Sequence, residues 1–369
     1  MKFAKNLRLI ITIILVFSTY MFDMGTTQAE PNETNFVAVG TSYQPPTSNP
    51  RGIIFTSQHG GQWVERKLPS SAVNITKLKD VEWNKTQSKW VAVGNGVLVS
   101  IDGITWEDRM NPSLASPIDL NGVACNGSQW IAVGNDHILT STQGNVWTVQ
   151  DIPFPRSSLY GITWDDKNKQ WVAVGESFDY SQAGGIILTS SDGTHWVKQA
   201  VPKTIQPSGS INHVIWNGHQ LVAVGRTNDS SVPAILTSND GVNWTEQAPP
   251  KLHINNYEQG GIAWNNKQWM IVGVIWTYDS SKGIAITSKD STNWTLSKLG
   301  DQFPDLIGGF QSIAWNGTRW VILGMEDNQG TPNSIVLTNT HDDEWVENSL
   351  PYSSEDIQLA HVAAGPVGM

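Results

Sequence analysis

The 369-residue chain has one cysteine, Cys125, so an intrachain disulfide is excluded and its stability must come from packing. Only 15% of the residues are charged, and acidic ones prevail: 33 Asp and Glu against 23 Lys and Arg, a formal net charge of −10. So acidic a surface repels phosphate backbones, and no nucleic-acid partner is expected. The eight histidines show no metal-ligand spacing. There is also no His-Glu-x-x-His, no Gly-x-Ser-x-Gly and no phosphate-cradling glycine loop. Neither a cofactor nor a metal is therefore expected. Beyond residue 29 no stretch reaches the roughly 20 apolar residues that cross a bilayer.

The first 29 residues stand apart from the rest. Lys2, Lys5 and Arg8 form a basic start, Leu9 to Phe17 an apolar run, and Thr27-Gln28-Ala29 a small-residue cleavage point. That layout is a secretory signal peptide, cleaved after about Ala29. Its removal takes away three basic residues and Asp23, leaving the mature chain near −12. Residues 30–369 are then expected to form one domain, secreted or on the extracellular surface, acting as a monomer. Cys125 stands where other repeats carry tryptophan, and is read as a buried, inert thiol.

What the sequence has in abundance is tryptophan, 18 in all, placed periodically. Seven of them, Trp63, Trp106, Trp147, Trp196, Trp244, Trp294 and Trp345, close short turns such as Ser100-Ile101-Asp102-Gly103-Ile104-Thr105-Trp106. Their spacings of 43, 41, 49, 48, 50 and 51 residues match one four-stranded blade each. Within a repeat, a first strand ends in tryptophan, as in Ile313-Ala314-Trp315, and an Asn-Gly type turn follows. A second strand of the Trp-Val-Ala-Val-Gly kind leads to a third strand, such as Ile187-Leu188-Thr189-Ser190. The turn and its tryptophan then open a fourth.

The fold expected is all-β: a seven-bladed β-propeller of four-stranded antiparallel blades. Small residues (Gly122, Gly161, Gly261, Ser312) fall where first strands should crowd a central axis. The first repeat begins at its second strand, Phe36-Val37-Ala38-Val39-Gly40, and the chain ends on an unpaired first strand, residues 357–365. Pairing of these two fragments would close the ring and protect both sheet edges.

The turns resemble the Asp-box, or BNR repeat, of sialidase-like propellers, in a shortened Ser-x-Asp-Gly-x-x-Trp form clearest at residues 100–106, 190–196 and 238–244. The resemblance covers nearly all of the mature chain, and implies structural roles for Asp102, Asp192, Asp240, Asp290 and the seven closing tryptophans. It carries no activity by itself. Sialidases of that kind clamp a carboxylate with three arginines, the first within Phe-Arg-Ile-Pro. Here the nearest match is Phe154-Pro155-Arg156-Ser157, with the order changed, and Arg319 falls in a hairpin turn. Similar propellers also serve as scaffolds in photosystem II assembly, which implies a scaffold role alone.

Strand polarity places the short turns on one end of the ring and the variable loops on the other. The long insertions carry Tyr43, Arg51, Phe178, Tyr180, Arg226, Trp276 and Tyr278, the candidate ligand-binding residues. His213 and His361 occupy equivalent first-strand positions and are expected near the axis as structural histidines. Asp165-Asp166 and Asp342-Asp343 are expected to be solvated turn residues. The function expected is a non-catalytic binding or scaffold propeller that recognises protein or glycan through its long-loop face. A divergent sialidase-like glycoside hydrolase is the alternative.

Overall fold

The computed structural model describes residues 35–366, apart from 45–48, 111–117, 136, 153, 182, 230–231, 253–255, 277–280, 305, 307, 329–330, 340–343 and 352–355. The expected signal peptide, Tyr278 and the Asp342-Asp343 pair lie outside the described residues.

The described strands form seven antiparallel sheets of four. Each sheet is a meander of strands consecutive in sequence, except the first. There the C-terminal strand Asp356–Ala364 takes the innermost place beside Phe36–Gln44, with Phe36 opposite Ala364 and Tyr43 opposite Asp356. The ring is thus closed as the fragment ends require, making this sheet blade one. The innermost strands of blades two to seven are Leu78–Asn84, Leu120–Cys125, Ser157–Asp165, Ser210–Trp216, Asn256–Trp264 and Gly309–Trp315. Chain entry and exit meet at the short-turn end, where the Gly365 amide donates to the Asn35 carbonyl at 2.8 Å.

Alternation alone does not describe the inner strands. Each is bulged at the same level, so that Ala360, Lys79, Asn121, Tyr160, Asn212, Gly260 and Gln311 have no partner opposite them. A bulge bends its strand and re-aims the extra side chain. Beyond it come the small residues, and they are needed there. A Cβ on Gly122 would stand 2.9 Å from the Tyr160 carbonyl oxygen, and one on Gly161 equally close to that of Asn212.

The core is distributed between neighbouring blades. Ala124, Ile131 and Val133 of blade three, for example, pack on Leu159, Ile162 and Trp171 of blade four. Inside blades, the tryptophan ending the first strand meets the one opening the second. Ring centroids lie 5.1 Å apart for Trp83–Trp90, 5.0 Å for Trp164–Trp171, 4.9 Å for Trp264–Trp269 and 5.0 Å for Trp315–Trp320.

The short turns are held by side chains. Asp102 accepts from the amides of Ile104 and Thr105 at 2.8 and 2.7 Å, while Ser100 Oγ accepts from Gly103. Trp106 Nε1 returns a bond to the Gly103 carbonyl at 2.9 Å. Asp192, Asp240 and Asp290 make the same pair of backbone contacts. Trp63, Trp147, Trp196, Trp244 and Trp294 repeat the indole bond, whereas residues 340–343 of the turn before Trp345 lie outside the described residues. The backbone hydrogen bond from His195, before its side chain, holds the Asp192 carboxyl far below its usual range, and that of Asn243 holds Asp240 down to about 2.

Five of the turns also receive a side chain from the preceding blade. The residue just before the second strand's apolar run reaches forward: Lys89 to the Gln143 carbonyl, Gln129 to that of Asp192, Gln170 to that of Asp240. Gln220 accepts from Ser291, and Arg319 of blade seven donates to the His59 carbonyl of blade one at 2.9 Å. The seam is latched as are four other junctions.

One expectation fails here. Asp165 is not solvated but fully buried, accepting from the amides of Lys167 and Asn168 and from the Asn168 and Gln170 side chains. It caps its hairpin as Asn126 caps the preceding blade's counterpart, so a carboxylate does the work of an amide oxygen.

Candidate functional site

The two ends of the ring differ chemically. The short-turn end is occupied by the latches, while the long-loop end keeps clefts. The bulged residues open on the long-loop end, at the mouth of the central axis. On one side of this mouth Lys77 and Lys79 clamp Asp119 at 3.0 and 2.9 Å, and Asn121 Nδ2 donates to the Leu159 carbonyl. Burial opposes a charged Asp119, but the two lysines outweigh it and keep the carboxyl below its usual range.

On the other side, between blades four, five and six, lies a polar cleft of about 330 Å³. Blade four supplies Tyr160 and Glu176, blade five Ser210, Asn212 and Arg226, and blade six Asn256 to Gln259. Tyr160 Oη stands 3.5 Å from Glu176 Oε2, and Arg226 Nη2 stands 3.9 Å from the same oxygen. Both gaps are too long for strong bonds, so the three groups hold one another loosely. The Arg226 guanidinium is aimed by Nε, which donates to Ser210 Oγ at 3.2 Å. Burial raises the Glu176 carboxyl, partly offset by the Arg226 charge and the Tyr160 hydrogen bond. Burial, then the Glu176 charge, raises the Tyr160 hydroxyl in turn.

Beside the cleft is an open shelf of about 510 Å³ lined by Asn135, Arg156, Ser157, Ser158, Phe178 and Tyr180. Ser158 faces Glu176 across the sheet, so shelf and cleft share the top of blade four. Tyr180 is 94% and Phe178 50% exposed, and the Arg156 guanidinium lies 6.0 Å from the Tyr180 ring centroid.

The structure therefore brings Phe178 and Tyr180 together and places Arg226 in the adjoining cleft. Trp276, 39% exposed, is the cross-strand partner of Asn256 and stands at the cleft's blade-six side. Two candidates lie elsewhere. Tyr43 is half-buried in blade one, between Pro50 and Asp356. Arg51 pairs with Glu65 at 2.6 Å beside the connector of blades one and two. Tyr160, Glu176 and Asn212 were missed by sequence reasoning. No residue type marked Tyr160 or Asn212, since what singles them out is the bulge that leaves each without a partner opposite.

At the axis, His361 of the closing strand lies with its Nδ1 2.7 Å from Asp80 Oδ1 of blade two, an ion-pair contact too bent for a well-aligned hydrogen bond. Asp80 also accepts from the amides of Val81 and of Val123, in blade three. Burial, with the nearby Asp80 charge, pushes the Glu82 carboxyl up to about 8. Burial lowers the His361 imidazole, but Asp80, Glu82 and the Val81 backbone together outweigh it and leave it raised. His213 is pushed down to about 4 by burial and by His361. Among the described residues no group of three or more His, Cys, Asp or Glu is placed to hold a metal ion. Burial pushes the Cys125 thiol up to about 12, so it stays protonated.

The family model of the DUF6242 beta propeller domain matches residues 28–273. No curated protein matches the chain. Among solved structures, virginiamycin B lyase from Staphylococcus aureus is similar at 14% identity and a TM-score of 0.53, covering 75% of this chain and 85% of that one. A streptogramin B lyase matches at 11% identity and a TM-score of 0.53, over 88% and 95% of the two chains. YCF48 bound to D1 peptide matches at 16% identity and a TM-score of 0.52, over 80% and 91%. These likenesses concern the fold. Among the described residues no helix is long and apolar enough to cross a membrane.

Proposed function

Since the chain belongs to the DUF6242 beta propeller domain family, a description of fold and not of activity, we propose that it is a non-catalytic binding propeller. Its long-loop end recognises a protein or glycan, outside the cytoplasm. The observation that carries this reading is the cleft of Tyr160, Glu176 and Arg226 with its aromatic shelf, on the end the latches leave free. Exposed aromatics beside loosely held polar groups on a rigid scaffold are recognition chemistry. The turns at the opposite end, read as shortened Asp-boxes, serve the scaffold. YCF48, a propeller of similar fold, binds a peptide.

A tyrosine, a glutamate and an arginine in one cleft also favour a second reading, a divergent sialidase-like hydrolase. Among the described residues, however, Arg226 is the only arginine lining that cleft, and no carboxylate clamp of three is assembled there. Arg51, Arg109 and Arg319 are engaged with Glu65, Glu107 and the His59 carbonyl. The test is to probe residues 30–369 on glycan and peptide arrays beside Trp276→Ala, with a fluorogenic sialoside assayed in parallel. Binding weakened by Trp276→Ala at an unchanged melting temperature supports recognition at this end. Turnover of the sialoside would replace it with the hydrolase.

A further inference from the structure

The charge balance of the cleft narrows what it takes. Among the described residues its lining holds one cationic group, Arg226, against two carboxyl groups, Glu176 and Glu258, within a chain whose formal charge is already −10. An anionic ligand would meet one guanidinium and two acids, and a cationic one would be set against Arg226. A neutral ligand rich in hydroxyls suffers neither penalty. The remaining groups fit such a ligand. Asn212 and Asn256 each carry an amide, that of Gln259 being engaged by Tyr257 Oη and the Gly261 carbonyl, and Glu176 and Arg226 present two-pronged faces that match vicinal hydroxyl pairs.

Shape points the same way. The cleft, at about 330 Å³, lies at the small end of ligand pockets, enough for one ring but not for a folded peptide segment. Ser158 on the shelf and Tyr160 in the cleft are two residues apart on one strand, about 7 Å, so one chain-like ligand would reach both. On the shelf Arg156 approaches the Tyr180 ring, yet the side chain remains 94% exposed and free to stack on an apolar ring face.

We infer that this mouth is a neutral-oligosaccharide site, the cleft holding one sugar ring through Glu176, Arg226 and Asn212 and the shelf stacking the next on Tyr180. This rests on the binding reading above and names its ligand class. The experiment is calorimetric titration of residues 30–369 with cellotetraose, xylotetraose, mannotetraose, maltotetraose and N-acetylchitotetraose. α2,3-Sialyllactose and a neutral twelve-residue peptide library are run beside them.

At least one neutral tetrasaccharide is expected to bind. Arg226→Ala should weaken it about tenfold or more through loss of charged hydrogen bonds. Tyr180→Ala should weaken the tetrasaccharide more than its monosaccharide, with the melting temperature unchanged, since Tyr180 is exposed. Binding of peptide or sialyllactose alone, lost in the same variants, would overturn the saccharide inference and leave the binding reading standing. No binding by any probe, or binding that both variants leave untouched, would overturn the saccharide site, and in the second case would also move recognition away from this end.

Discussion

Single residues in this propeller are constrained by backbone conformation and by approach from the next blade, and the two effects separate experimentally. Gly193 has φ +78 and a Cβ there would fall 2.4 Å from Ile131 Cδ1, whereas Gly218 has φ +92 and open space around it. Gly218→Ala should therefore cost only the left-handed strain, about 1 kcal/mol. Gly193→Ala adds overpacking and should cost about 2–4 kcal/mol in urea unfolding. Equal losses would mean that the turn does not pack on blade three. At this scale the sequence is legible where chemistry is local. Asp102, its serine and its tryptophan form a turn by themselves, and their spacing announces it. Tyr160 and Asn212 were not legible as site residues, because only a bulge makes them so and a bulge leaves no residue type behind. Asp165 misled for a similar reason: a carboxylate in a turn reads as solvated until its acceptor role in the hairpin is seen.

Between elements, the forward-reaching side chains and the closing strand decide cohesion. Arg319→Ala removes one charge-assisted bond at the seam and should cost about 1 kcal/mol, read as a small melting shift. Ending the chain at residue 355 removes far more: the eight pairings to Phe36–Gln44 and the buried Ile357, Leu359 and Val362. It also frees Ser334 Oγ and Ser312 Oγ, which now accept from the Leu359 and Val362 amides. The melting temperature should fall by more than about 10 °C, and a smaller change would show that the ring does not depend on this strand. The pairing itself was legible because a missing first strand at one end and a surplus one at the other complement each other. The latches were not. Lys89, Gln129, Gln170 and Arg319 look like ordinary hairpin polar residues, and their targets lie some 50–70 residues ahead or, for Arg319, 260 behind.

For the whole ring, closure is linked to protons. His361, facing Asp80 and Glu82 of blade two and His213 of blade five, has its pKa raised, and Glu82 is raised to about 8. A raised folded pKa contributes stability below the unfolded value, lost as pH rises through the folded one. Both groups therefore make the ring less stable with rising pH, Glu82 from about 4.5 to about 8 and His361 above 6.5. His213, lowered to about 4, acts oppositely, its share lost as pH falls from about 6.5 through 4. Melting temperatures should peak in mildly acidic buffer, and Glu82→Gln should flatten the alkaline decline. A profile still falling just as steeply in that variant would move the linkage away from the axis. The bond between the Gly365 amide and the Asn35 carbonyl has a consequence of another kind. Both ends of the ring's chain leave from the latched side, opposite the cleft. A tether joined at either end would hold the molecule by its back, with the mouth turned toward whatever approaches from the surroundings.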